Sequence, residues 1–317
     1  METIPDEIRR FATVLQNSPL NEVVGSGDVE AIAQLTLSSV LENTDLSEGD
    51  NVLDFGCGIG RSTLPLALYA KSGTVFGIDI VKSMVSFCNR EIASRLHNAH
   101  FLHLLASNVL YDHLNDDAYR PATENVISID ANDMTDRFSG YFNIITAFSV
   151  FTHFTIEQAK DQLCIFNTLL KSGGVVLLSM FFDTPWNRFR LDTTDDGYRD
   201  CYLDEPLKYV LFDFGRFAEL ASSAGFRICR VNFGFRDVPI PIRLRKYYHP
   251  NDLVVLSKMP TMPKDFDAGL YLMANPDLAA VPDLADHYLK CGFCEERLTR
   301  PVGTEIAPRG QTKLGDG

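Results

Sequence analysis

The sequence has no hydrophobic run long enough to span a bilayer. Its longest strongly apolar stretch, Gly174 to Phe182, falls far short of the ~20 residues a spanning helix needs. Met1 to Val14 carries charges and no apolar stretch of signal-peptide type, so no cleaved leader is expected. Basic residues are scarce: 29 Lys and Arg stand against 42 Asp and Glu, a net charge of −13. That balance argues against a general phosphate-backbone binder, and nucleic acid is set aside as a partner. The seven cysteines are odd in number and lack framework spacing, which fits reduced thiols in a cytoplasmic protein. Repeats of solenoid type are absent. What is present is ordinary globular usage, 45% hydrophobic and 22% charged over 317 residues. A chain of this length can bury a large core without staples and suggests about two domains.

Residues 1–48 read as a helical lead-in, with Ile32, Leu35, Leu37 and Val40 apolar in the stretch Asp28 to Leu41. From Asn51 the rhythm changes to that of a parallel sheet with crossover helices. A strand at Asn51–Phe55 leads through a glycine loop into a helix at about Arg61–Ala70, then a strand at Thr74–Asp79 and a helix from Val81 to about Leu96. The third strand has two candidates. We place it at His100–Leu105, with Asn125–Asp130 in an extended loop, and the reverse assignment stays open. The fourth strand is Tyr141–Phe148. Thr155 with Gln158 three residues on has capping-box spacing, and Ser172-Gly173-Gly174 turns the following helix into a fifth strand, Val175–Met180. A helix at Phe214–Ser223 and strands at Arg227–Phe233 and Asp252–Ser257 follow. Met259–Lys264 reads as a linker, Phe266–Leu298 as a small helical appendage, and residues 301–317 as a disordered tail.

The glycine loop carries the chemistry. Asp54-Phe55-Gly56-Cys57-Gly58-Ile59-Gly60 lies between a strand and a helix, where glycines allow close approach of a ligand and the helix start offers free N–H groups. The spacing is G-x-G-x-G, not the dinucleotide G-x-G-x-x-G, and Asp54 stands directly ahead of it. A carboxylate there repels a pyrophosphate but suits an ammonium or sulfonium charge, which speaks against a nicotinamide oxidoreductase. Asp79, nineteen residues past Gly60, lies where an acidic residue accepts bonds from ribose hydroxyls in nucleotide-binding βαβ units.

Asn51-Val-Leu-Asp-Phe-Gly-Cys-Gly-Ile-Gly-Arg61 resembles the first motif of class I S-adenosylmethionine-dependent methyltransferases, and Val75-Phe-Gly-Ile-Asp79 their second. Phe148-Ser-Val-Phe-Thr-His153 and Leu170-Lys-Ser-Gly-Gly174 resemble the fourth-strand exit and the turn into the fifth strand. The resemblance covers roughly residues 26–258. It implies an α/β, doubly wound, Rossmann-like seven-stranded sheet, mostly parallel with an antiparallel last strand, occupying residues 49–258. It implies S-adenosyl-L-methionine as cofactor. Asp54 and the backbone of Gly56, Cys57, Gly58 and Gly60 would hold its methionine end, Asp79 the ribose and Ile80 the adenine face, with Phe148 beside the sulfonium. The family's carboxylate after the third strand is Asp130 on one strand assignment. On the other, Leu105 takes that place and Ala106 offers only backbone.

Methyl transfer from a sulfonium is an in-line displacement governed by positioning, and a hydroxyl acceptor gains from a general base. His153, just past the fourth strand, is the catalytic candidate, since the unperturbed pKa of a histidine, ~6.5, suits a general base. Two segments lie at carboxyl strand ends, where open α/β sheets bind ligands. One is Phe182–Phe212, with Trp186, Arg188, Arg190 and Tyr198. The other holds Arg227, Arg230, Arg236, Arg243, Arg245 and Lys246 against Asp237 alone, which suits an acidic acceptor. The appendage, with Asn275-Pro276-Asp277 and His287-Tyr288-Leu289, resembles a short module of bacterial glycosyltransferases and polysaccharide enzymes. Asn275 is expected to cap a helix begun by Pro276, and Gly292 to end the next. The resemblance implies contact with glycan-synthesis enzymes through 266–300 and a small-molecule or glycan acceptor. Cys291 and Cys294 close a helix rather than open one, so no metal is assigned.

Overall fold

The computed structural model describes residues 4–23, 27–106, 126–185, 187, 198–200, 209–234, 251–260, 266–288 and 297–301. Contacts divide the chain into two compact units, 1–258 and 259–317.

Within the first unit the strands are β1 (Val52–Phe55), β2 (Val75–Asp79), β3 (Ala99–Leu104), β4 (Ser128–Ile129), β5 (Phe142–Ala147), β6 (Leu170–Phe182), β7 (Tyr198–Asp200), β8 (Tyr209–Phe212), β9 (Phe226–Asn232) and β10 (Asp252–Lys258). They form one sheet in the order β4-β3-β2-β1-β5-β6-β10-β9, with β8 branching from the end of β6 and β7 from β8. Strands β1 to β6 pair in parallel, and β10 is antiparallel to both β6 and β9.

The expected seven strands are therefore too few, and the reasons are local. Both candidates for the third strand are in the sheet: β3 pairs with β2, and 128–129 is not a loop but a short edge strand, His103 opposite Ser128 and Leu104 opposite Ile129. Strand β6 is also longer than expected. Ser172-Gly173-Gly174 does not precede it but lies within it as an irregularity, with Phe142 opposite Leu170 and Ile144 opposite Val175. At its far end Phe181 and Phe182 run on to pair with Leu211 and Phe212.

Helices cover both faces. On one face α1 (Ile4–Gln16), α3 (Val29–Asn43), α4 (Thr63–Tyr69) and α5 (Lys82–Cys88) bury Leu15, Val40, Leu66 and Val85 against β1 and β2. A short α2 (Leu20–Val23) links the first two. On the other, α6 (Ala131–Phe138), α7 (Ile156–Leu169) and α8 (Phe214–Ser223) bury Met134, Leu163, Phe166 and Phe217. Because side chains alternate along a strand, Val52 serves the first core and Leu53 the second. The capping box at the start of α7 forms, Gln158 N donating to Thr155 Oγ1 and Thr155 N to Gln158 Oε1. The helix expected from Val81 to Leu96 ends at Cys88 and continues as a wider π-helical turn, Asn89–Ala93.

The second unit holds α9 (Ala268–Ala274), a 3-10 turn at Pro276–Leu278 and α10 (Leu284–His287), packed around Tyr271, Leu278 and Tyr288. Asn275 precedes Pro276, but its side chain does not cap. Its amide donates instead to the carbonyls of Tyr271 and Leu298, each at 2.8 Å. Gly292, Cys291 and Cys294 lie outside the described residues.

One buried carboxylate ties the far end of β6 to the closing strands. Asp252 receives Phe182 N and the Asn187 amide on Oδ2 and Gly234 N on Oδ1, each at 2.8 Å. Replacing it with alanine orphans the N–H groups of Phe182 and Gly234, at about 1–3 kcal/mol each, and leaves the Asn187 amide only the carbonyl of Phe182. Asp252→Ala is expected to lower the unfolding free energy by about 3 kcal/mol or more, read from urea denaturation.

Candidate functional site

Strands β2, β1 and β5 are neighbours and parallel, so their carboxyl ends open side by side. β1 delivers Asp54, β2 delivers Asp79, and Phe148 follows β5. The glycine loop folds over this edge. Gly56 N and Cys57 N both donate to Ile78 O, at 2.8 and 3.1 Å, which lays the loop across β2. Gly58 N donates to Asp79 Oδ2 at 2.8 Å. Gly56 and Gly60 have φ of 75° and 84°, and a Cβ there would strike Val150 and Ile92 respectively. Glycine is needed at both positions for conformation and for room.

Asp54 is 1% exposed. Its carboxylate accepts Thr63 Oγ1 at 2.6 Å and Thr146 Oγ1 at 2.9 Å. Burial pushes its pKa up to about 6; the two hydroxyls pull it back in part, and the charge of Asp79 adds to the rise. Asp79 is buried as well. It accepts Gly58 N on one oxygen and Val81 N, at 2.8 Å, on the other. Burial raises its pKa against those backbone donors. Thr63 and Thr146 escaped the sequence reading, although the signal was present. Thr63 opens the helix after the loop, and Thr146 sits opposite Asp54 in the β1–β5 register.

Cys57 and Cys88 are buried beneath the loop, their thiols directed at Gly58 O at 3.7 and 3.4 Å. Burial, followed by the neighbouring Cys88 thiol, pushes the Cys57 thiol well up. Ile80 is half-buried, and its carbonyl lies 3.2 Å from His103 Nε2, while His103 Nδ1 lies 2.9 Å from Ser128 Oγ. A carbonyl only accepts, so Nε2 carries the proton and Nδ1 accepts from the serine. Burial lowers the His103 pKa.

The remaining candidates lie further along the same edge. Ala106 is exposed just past β3, after a Leu105 that is 58% exposed. Asp130 follows β4, which β3 separates from β2. Its carboxylate is exposed and caps α6, accepting Asp133 N at 2.8 Å. Past β5, Phe148 packs half-buried against the first core. A 3-10 turn, Phe151–His153, then carries His153, whose Nδ1 is shielded from solvent. Arg230, from the basic stretch, is turned to the end of α3, donating to Glu42 O at 3.2 Å and Asn43 Oδ1 at 3.3 Å. Trp186, Arg188, Arg190, Arg236, Arg243, Arg245 and Lys246 lie outside the described residues.

Two buried carboxylates bonded to neutral hydroxyls and amides, beneath a loop with no room for a side chain at Gly56 or Gly60, fit a ligand that brings positive charge and hydroxyl donors. A family profile described as "Methyltransferase domain" matches residues 28–230. The chain belongs to the methyltransferase domain family. Its first two motifs resemble those of class I S-adenosylmethionine-dependent methyltransferases, which implies S-adenosylmethionine as the cofactor.

Among curated proteins, the methyltransferase is 43% identical over 76 residues to the 23S rRNA (uracil(1939)-C(5))-methyltransferase RlmD of Salmonella typhi, and 36% identical over 74 residues to RlmD of Shewanella frigidimarina. These matches cover 23% of this chain and only 17% and 16% of those proteins. Among solved structures, magnesium protoporphyrin IX methyltransferase (ChlM) from Synechocystis PCC 6803 with bound SAH is 18% identical, at a TM-score of 0.47 over 75% of this chain and 92% of that one. The PH0226 protein from Pyrococcus horikoshii OT3 is 15% identical, at a TM-score of 0.48 over 74% and 93%.

The raised pKa of Asp54 has a measurable consequence. Its carboxyl is at about 6 when folded and 3.8 as a free side chain, so the folded state binds the extra proton between those values. Stability of the ligand-free protein therefore falls as pH rises from about 4 to about 6, by a contribution of about 3 kcal/mol from this group. Asp54→Asn is expected to remove that contribution and to raise the melting temperature at pH 7 by several degrees. Thermal melts across pH 4–8 check both.

Proposed function

We propose that this methyltransferase methylates an oxygen of a polar small molecule, a sugar or a glycan, in the cytoplasm. The observation that carries the reading is the position of His153, at the end of the 3-10 turn that follows Phe148 at the carboxyl end of β5, next to the strand that bears Asp54. When bound, S-adenosylmethionine supplies an electrophilic methyl group on a sulfonium. The backbone at Gly56, Cys57, Gly58 and Gly60, with Asp54, holds the methionine end through its ammonium charge. Asp79 receives the ribose hydroxyls, while Ile80 and Ala106 line the adenine. Asp130 is at most a peripheral contact for the adenine amine, because its carboxylate already caps α6. Phe148 keeps water from the reacting carbon. His153 takes the proton from the acceptor hydroxyl, the role in which general bases contribute about 10²–10⁴ in rate.

The second unit supports a glycan setting through its resemblance to modules of polysaccharide enzymes, and we assign residues 266–300 a docking role toward glycan-synthesis enzymes. An RNA base as acceptor is the second reading, favoured by the 76-residue match to RlmD. The net charge of −13 weighs against it.

Calorimetric titration with S-adenosylhomocysteine, with NAD as control, opens the test. Wild type is expected to bind the homocysteine product and not NAD, and Asp79→Ala to lose at least about tenfold in affinity. Sugar, glycan and RNA acceptors are then screened for methyl incorporation. On the acceptor found, His153→Ala is expected to lose about a hundredfold or more in kcat with product affinity intact. An RNA acceptor, or an unchanged kcat in that variant, rejects the reading.

A further inference from the structure

Ser149 is the one non-glycine residue with positive φ among those described, at 57°. Such a conformation is uncommon for serine and persists only where neighbours over-determine it. Two groups do so here. Ser149 N donates to Ser179 Oγ at 2.7 Å, and Ser149 Oγ receives the amide of Asn251 at 3.4 Å. Ser179 is fully buried near the carboxyl end of β6, opposite Leu253 of β10. The residue after Ser149 is Val150, whose side chain occupies the space a Cβ on Gly56 would need. Gly56 N is in turn bonded to Ile78 O, across β2. A line of contacts thus runs from the carboxyl-end part of β6 through the left-handed turn to the glycine loop.

The geometry points to Ser179 as a positioning residue for the cofactor. By accepting Ser149 N it holds the turn left-handed, which seats Val150 against Gly56 and sets both the loop and the adjoining Phe148. The inference rests on that loop being the cofactor's cradle, which wild-type titration with S-adenosylhomocysteine tests separately.

The experiment is a double-mutant cycle on the full chain, with S-adenosylhomocysteine affinity as the readout and thermal melting alongside. Removing the Ser179 hydroxyl as Ser179→Ala is expected to weaken binding roughly five- to tenfold. In a Ser149→Gly background, where the backbone adopts positive φ without an anchor, the same removal is expected to cost less than about twofold. An equal loss in both backgrounds means that the hydroxyl acts otherwise than through the turn and overturns the proposal. So does unchanged affinity in Ser179→Ala. Should that variant fail to fold, Ser179→Cys keeps the volume and weakens the acceptor, and it carries the same comparison.

Discussion

Two carboxylates held out of water at the ends of adjacent strands set the terms for everything around them. Asp54 and Asp79 stand on neighbouring parallel strands, each within the other's field, and neither is solvated. Burial raises both pKa values, and the charge of Asp79 adds a lesser push to Asp54. The protein's response is to meet them with neutral donors: two threonine hydroxyls for Asp54, two backbone N–H groups for Asp79. Those donors pull both pKa values back in part without cancelling the charge. The charge that remains is what a sulfonium cofactor with an ammonium tail can satisfy. The ligand-free fold therefore holds a deliberate electrostatic cost at the place where binding relieves it.

The glycine loop serves the same requirement from the backbone side. A carboxylate accepts well from amide N–H groups only if the chain can lie over it, and Gly58, at a φ of 52°, turns its N–H onto Asp79. Bulk comes from elsewhere, Val150 above Gly56 and Ile92 above Gly60. The wider π-helical turn that carries Ile92 interrupts what would otherwise be one continuous helix. Such single turns recur at functional sites. Here its effect is to bring an apolar side chain against Gly60.

What could be read from the residues was whatever depends on short-range pattern. The strand and glycine loop of 51–60, the capping box of α7 and the separate strand segments β9 and β10 follow from strand composition, glycine spacing and cap chemistry, each legible within a dozen residues. The third strand is placed at 100–105, where it lies, but 125–130 reads as a loop, because both carry strand composition and both enter the sheet; only pairing in space separates an inner strand from an edge addition. The overrun of β6 into β8 was hidden for the same reason, and Gly173-Gly174 marks an irregularity where it reads as a turn. Within the site, the carboxylates and glycines were visible as motif. Thr63, Thr146, Ser149 and Ser179 were not, since serine and threonine are too common to signal a role before their partners are known. Asn275 shows the opposite error: a good capping residue whose amide found better acceptors in Tyr271 and Leu298.

The position of β10 has a bearing on how the chain comes to be folded. It is the last strand of its unit in sequence, yet it lies between β6 and β9, which do not touch each other without it. Its final residue, Lys258, donates to the carbonyls of Asn167 and Leu170 at 2.6 and 2.8 Å, locking the junction of α7 and β6. During synthesis from the N-terminus, β6 stands with an open edge until some seventy further residues have emerged, and only then does the sheet close. A long wait of this kind, with non-local pairing at its end, slows folding and leaves a strand edge available to other chains. The nascent protein is most exposed to mispairing in that interval, and the strand that ends it is the one on which Asp252 gathers the loose ends of its neighbours.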